Sequence, residues 1–137
     1  SLESMKRVKE ITGLSEDNDD RLKVVVADVC DEDALRKVFE AQKELTAGKP
    51  FQSCIHFAGL KAVGESGQIP LKYYKTNLGS TFTLLGLLDE YNCHSIVFSS
   101  SATVYGGQEK MPITEQAQVG LGITNAYGRT KYMIEEI

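Results

Sequence analysis

Short β-branched runs that alternate with amphipathic helical stretches constrain this chain more than any other feature. Residues 22–29 read Leu-Lys-Val-Val-Val-Ala-Asp-Val, a run of the kind buried on both faces of a parallel sheet. Residues 53–59 (Ser-Cys-Ile-His-Phe-Ala-Gly) and 95–99 (Ser-Ile-Val-Phe-Ser) are predicted as the second and third strands. Helical spacing fills the intervals. Leu2, Met5, Val8 and Ile11 recur among Lys and Glu before Gly13, a natural stop. Leu35, Val38 and Phe39 share one face of a helix over 31–42, with Asp31 or Asp33 as its cap, and Thr-Ala-Gly-Lys-Pro at 46–50 breaks it. Pro70 opens a long helix whose predicted inner face is Tyr74, Leu78, Thr81, Phe82, Leu85 and Leu88. Asn125 is the candidate cap of the last helix. The acidic residues at 16–20 read as a solvated loop, because the glycine and terminal glutamate of a calcium loop are missing.

The resulting order, α, β, α, β, α, β, α, implies an α/β fold with a doubly wound parallel sheet. Such sheets bind ligands outside the carboxyl ends of their strands. Each predicted strand ends in residues suited to ligand binding there. These are Asp28 and Val29, then Phe57, Ala58 and Gly59, then Ser99 through Ser101.

Composition narrows the class of function. A net charge of -4 offers no basic excess for nucleic acid. Three cysteines, Cys30, Cys54 and Cys93, with only His56 and His94 beside them and no paired spacing, read as reduced thiols rather than a metal site. No stretch approaches the roughly 20 apolar residues of a bilayer span, so no membrane partner is expected and the expected compartment is the cytosol. The 137 residues suit one domain. Ser1 falls within a predicted helix and is no initiator methionine, which reads as a piece of a longer protein.

The chemistry concentrates near the end of the chain. Tyr127 and Lys131 lie four apart in Tyr-Gly-Arg-Thr-Lys at a helix start, which places a phenol and an ammonium on one face, a turn apart. Tyrosine ionises near ~10 in water, and a nearby cation favours its phenolate, so the pair suits the removal of a proton from an alcohol. The serine-rich strand end closing at Ser101 and the glycine strand end at Gly59, before a long helix, complete the constellation.

Together Ser101, Tyr127 and Lys131 resemble the catalytic residues of the extended short-chain dehydrogenase/reductase family. The segments 56–66 (His-Phe-Ala-Gly-Leu-Lys-Ala-Val-Gly-Glu-Ser) and 98–106 (Phe-Ser-Ser-Ser-Ala-Thr-Val-Tyr-Gly) resemble its UDP-hexose 4-epimerase branch, and the likeness extends over nearly the whole chain. The resemblance implies NAD as cofactor, with Asp28 and Val29 at its adenine, Phe57, Ala58, Gly59, Lys61 and Ser99 lining it, and Asn77 near the nicotinamide half. It implies UDP-galactose and UDP-glucose as substrates, contacted by Lys61, Ser101, Ala102, Thr103 and Tyr127. Tyr127 would take the proton of the sugar 4-hydroxyl, Lys131 would bind the cofactor ribose, and Ser101 would hold the 4-oxygen. Related 4,6-dehydratases carry an Asp-Glu pair where this chain has Ala102 and Thr103, so elimination would lack its acid and base. Plainer readings stand beside these: Asp28 as a turn cap, Asn77 bonded to backbone, Lys61 as a surface charge.

The resemblance also implies an incomplete Rossmann-like domain over 1–137. It would lack the first two strands with their glycine-rich phosphate loop, the acidic residue for the adenosine ribose, and the C-terminal substrate domain. The lost strands would separate 22–29 from 53–59, so the gap is expected either to close by pairing those two segments or to be filled from another chain. Helices 70–91 and 126–137 would form a homodimer contact. Other functions compatible with the sequence are a nucleotide-sugar dehydrogenase or reductase of the same family and a catalytically silent nucleotide-binding scaffold.

Overall fold

A computed structural model describes residues 2–14, 22–108 and 111–137; the acidic loop at 16–20 lies outside the described residues. The elements in order are α1 (Leu2–Thr12), α2 (Glu32–Leu45), β1 (Cys54–His56), α3 (Val63–Gln68), α4 (Pro70–Glu90), β2 (Ile96–Phe98), a 3-10 turn (Ala102–Tyr105) and α5 (Ala126–Glu135).

Local signals place most of these elements. Gly13 ends α1 with φ +67, a left-handed value that glycine adopts without strain. Asp31 caps α2, its Oδ1 accepting the Ala34 N–H at 3.0 Å. Pro70 sits in the first turn of α4, and Asn125 caps α5 by accepting the Gly128 N–H at 2.8 Å. The six-residue α3 was not anticipated, since Gly64 and Gly67 argue against a helix. Ser66 is fully buried, and its hydroxyl donates to the Val63 carbonyl at 2.7 Å within the helix.

The sheet is smaller than expected. β1 and β2 pair in parallel, with Cys54 opposite Ile96, Ile55 opposite Val97 and His56 opposite Phe98. Residues 22–29 form no strand: they pair neither with 53–59 nor with any other described segment, and Val24, Val25 and Val26 are 43%, 60% and 86% exposed. β-branched residues favour a strand only where a neighbouring backbone supplies the ladder and a packed face receives the side chains, and this segment has neither. α1 is similarly unpartnered among the described elements, with Ile11 85% exposed.

α4 organises the interior by packing on α2 through its C-terminal half and on α5 and α3 through its N-terminal half. Its inner face is turned by about one residue from the predicted one. Tyr73, Asn77, Ser80, Thr81, Leu87 and Leu88 are buried, whereas Phe82 is 56% exposed. Apolar periodicity passes over Asn77 and Ser80, whose polar groups are buried because they find hydrogen-bond partners.

Candidate active site

The site is built where the loops leaving β1 and β2 meet the first turns of α5. The Asn125 cap starts α5 so that Tyr127 and Lys131 both turn inward, 9% and 6% exposed. The Lys131 Nζ donates to the Ser99 carbonyl at 2.8 Å and lies 4.6 Å from the Phe98 ring centroid and 5.8 Å from that of Tyr127. Burial holds the lysine below its ordinary pKa. An ammonium has three N–H donors, so the bond to Ser99 leaves capacity for a further acceptor.

Ser101 starts the turn that follows β2. Its Oγ accepts from the Thr103 N–H at 3.2 Å and from the Thr103 hydroxyl at 2.9 Å. Thr103 in turn rests on Gly128, where a built Cβ would lie 3.0 Å from the Thr103 Oγ1 and 2.9 Å from Ile123 Cγ2. The bare glycine lets the serine turn close on the residue next to Tyr127. Ala102 is exposed and Thr103 is committed to Ser101, so no carboxylate stands at these two positions.

The loop after β1 leaves Phe57 74% exposed, with Ala58, Gly59 and Lys61 exposed beside it. Gly59 has φ +149, and a Cβ there would approach the Asn77 Oδ1 at 3.1 Å. Asn77 is not free: its Oδ1 accepts the Leu60 N–H at 2.8 Å, and its Nδ2 donates to the Leu60 carbonyl at 3.0 Å and to the Thr130 Oγ1 at 3.1 Å. The plainer reading of Asn77 as a backbone partner therefore describes its contacts. Asp28 is exposed, and its Oδ1 accepts the Cys30 N–H at 2.9 Å. Val29 is half-buried, and Cys30 Sγ, 3.6 Å from the Thr76 carbonyl, brings this end of the segment to α4 beside Asn77.

Two buried residues escaped the sequence reading. His56 is 2% exposed, stacks at 5.6 Å on Phe98 and meets the Thr81 Oγ1 at 3.1 Å. Thr81 donates its proton to the Asn77 carbonyl at 2.8 Å, so the proton between His56 and Thr81 sits on Nε2. Burial first, and the charge of Lys131 second, hold the imidazole below its ordinary pKa. Thr130, fully buried, donates to the Tyr127 carbonyl at 2.7 Å. Its place in Tyr-Gly-Arg-Thr-Lys, between the two residues singled out, was the available signal.

These residues fit one end of a dinucleotide. A lysine with unspent donors, a glycine without Cβ and an exposed aromatic ring line the carboxyl ends of both strands. The Ser100 Oγ is buried there without a hydrogen-bond partner among the described residues.

Known proteins place the arrangement. The profile of the GDP-mannose 4,6-dehydratase family matches residues 1–137. UDP-glucose 4-epimerase of Bacillus subtilis strain 168 is 51% identical over 137 residues, and that of Caenorhabditis elegans 48% over 134. The chain spans about a third of these relatives, 36% and 35% of their lengths. The crystal structure of UDP-glucose 4-epimerase from Bifidobacterium longum, in complex with NAD+ and UDP, superposes with a TM-score of 0.85 at 42% identity, covering 99% of this chain and 36% of that one. The two-stranded sheet and its helices are thus part of an α/β Rossmann-type domain, and the chain belongs to the GDP-mannose 4,6-dehydratase family, with UDP-glucose 4-epimerases as relatives along its whole length.

Proposed function

We propose that the protein containing this chain is an NAD-dependent 4-epimerase that interconverts UDP-galactose and UDP-glucose. The observation that carries the reading is the buried Lys131 ammonium, pinned to the Ser99 carbonyl one turn from Tyr127 and facing its ring. Tyr127 removes the proton of the sugar 4-hydroxyl. Ser101, set by Thr103 against α5, holds the 4-oxygen as it becomes a carbonyl. NAD, when bound, would supply a reversible hydride acceptor for the 4-carbon, which would take the hydride back on its opposite face. Tyr127 then gives its proton back to the 4-oxygen, so the carbon inverts without net oxidation.

Lys131 directs its remaining donors to the cofactor ribose. Asp28 and Val29 hold the adenine, and Phe57, Ala58, Gly59, Lys61 and Ser99 line the cofactor with Asn77 behind them. The substrate meets Lys61, Ser101, Ala102, Thr103 and Tyr127. The name of the family suggests dehydration, but Ala102 and Thr103 offer no carboxylate to abstract and return a proton. A homodimer is part of this reading: α4 and α5 pack on each other and leave Leu71, Phe82 and Met133 73%, 56% and 37% exposed.

The test is incubation of the full-length protein and NAD with UDP-galactose. The expected result is UDP-glucose without accumulation of NADH, and loss of about 10²–10⁴-fold in kcat for Tyr127→Phe. Net NADH would point to a dehydrogenase, and activity surviving in Tyr127→Phe would remove that residue from its role.

A further inference from the structure

Besides the Arg129 guanidinium, which donates to the Gly120 carbonyl at 3.1 Å, α5 is held to its surroundings at three polar or close-packed points in its first turns. Gly128 rests on Thr103, and Lys131 bonds to the Ser99 carbonyl; both attachments go to the loop after β2. Thr130 makes the third, accepting from Asn77 Nδ2 at 3.1 Å while donating to the Tyr127 carbonyl at 2.7 Å. Asn77 clamps both backbone groups of Leu60, so this attachment alone is a hydrogen-bonded tie, among the described residues, between α5 and the loop after β1. The chain of donors runs from the Asn77 amide to the Thr130 hydroxyl to the Tyr127 carbonyl.

We propose that Thr130 is a positioning residue: its hydroxyl, through Asn77, fixes the rotation of α5 against the loop 57–61 and so sets the Tyr127 phenol relative to whatever that loop binds. The role rests on Tyr127 being the base of the proposed epimerase. Tyr127, Thr130 and Lys131 occupy i, i+3 and i+4 on one helix face, so a roll of the helix moves all three together. The division of labour has a physical reason. Lys131 divides its donors between the Ser99 carbonyl and, in the proposed function, a ligand. Thr130 is fully buried and serves the attachment alone.

The test uses the full-length protein with NAD, comparing Thr130→Val, Thr130→Ala and Thr130→Ser. Thr130→Val keeps the shape and deletes the hydroxyl; Thr130→Ala does so without bulk should the valine variant fail to fold. In either, kcat for UDP-galactose is expected to fall about tenfold to a hundredfold, the size of effect that a misplacement near 1 Å can produce, with KM essentially unchanged. Thr130→Ser should restore kcat. Amide hydrogen exchange supplies a readout independent of turnover: the Leu60 N–H should exchange faster in the valine and alanine variants and return toward wild type in the serine variant. A folded variant lacking the hydroxyl with wild-type kcat overturns the positioning role, as does a serine variant no better than alanine, or unchanged Leu60 exchange. Wild-type protein that fails to interconvert the UDP-sugars overturns the functional reading, and the positioning role with it.

Discussion

The two ends of α4 bury different chemistry. At its C-terminal end the core is aromatic and aliphatic: Phe39, Leu87, Leu88, Tyr91 and Cys93, with the Phe39 ring 5.2 Å from Phe51 edge-on and 5.0 Å from Tyr91. Arg36 ties α2 to α4 through Glu90, and the Tyr91 hydroxyl bonds to Glu40. At its N-terminal end the interior is polar: His56, Asn77, Ser80, Thr81, Thr130 and Lys131 are buried around Tyr73 and Tyr127. Apolar burial needs no exact partner, whereas each buried polar group needs one or costs stability. The first end can therefore supply stability with loose requirements, and the second must hold a defined geometry. In the proposed function, that difference gives folding chiefly to one end and chemistry to the other.

Paired substitutions test the assignment most severely. In the full-length protein, Tyr127→Phe should remove about 10²–10⁴-fold of kcat while leaving the denaturation midpoint close to wild type. Phe39→Ala should do the reverse. It deletes a ring 5% exposed, expected to cost about 3–5 kcal/mol in denaturant unfolding, with kcat per folded molecule unchanged. A Phe39→Ala protein that is folded but slow would break the separation between the two ends.

Helix caps make a finer comparison, because the same chemistry occurs at both ends. Asp31 caps α2 and Asn125 caps α5 through equivalent bonds of 3.0 and 2.8 Å. Replacing either by Ala should cost about 1 kcal/mol. Only Asn125→Ala should also lower kcat, since its helix carries Tyr127 and Lys131. Equal kinetic effects from the two would show that α2 and α5 are coupled more tightly than their separate cores suggest.

The sequence disclosed the two ends unequally, for physical reasons. Caps and helical spacing are local, so Asp31, Pro70, Asn125 and the Tyr127–Lys131 pair could be read directly. The aromatic end followed from Phe39 and Leu88 on their helix faces. The pairings within the polar end were hidden because they join residues far apart in the sequence. His56 meets Thr81 across 25 positions, and Asn77 meets Thr130 across 53. The same non-locality explains residues 22–29: their composition encodes strand preference, but a ladder requires a partner that composition does not name.

The smallest expected effect probes the polar end through its pH dependence. Burial first, and the charge of Lys131 second, oppose protonation of His56 in the folded chain. Its folded pKa is therefore below its unfolded value near ~6.5, so at intermediate pH the unfolded chain binds more protons than the folded one. The contribution of His56 to stability is complete above ~6.5 and is lost as pH falls toward the depressed folded value, with a slope bounded at about 1.4 kcal/mol per pH unit for one proton. His56→Gln should flatten this part of a stability-versus-pH curve, while Phe39→Ala should lower the whole curve without changing its shape. An unaltered slope in His56→Gln would mean that the imidazole titrates freely in the folded protein. The polar end would then be wetter than the hydrogen bond to Thr81 and the packing on Phe98 imply.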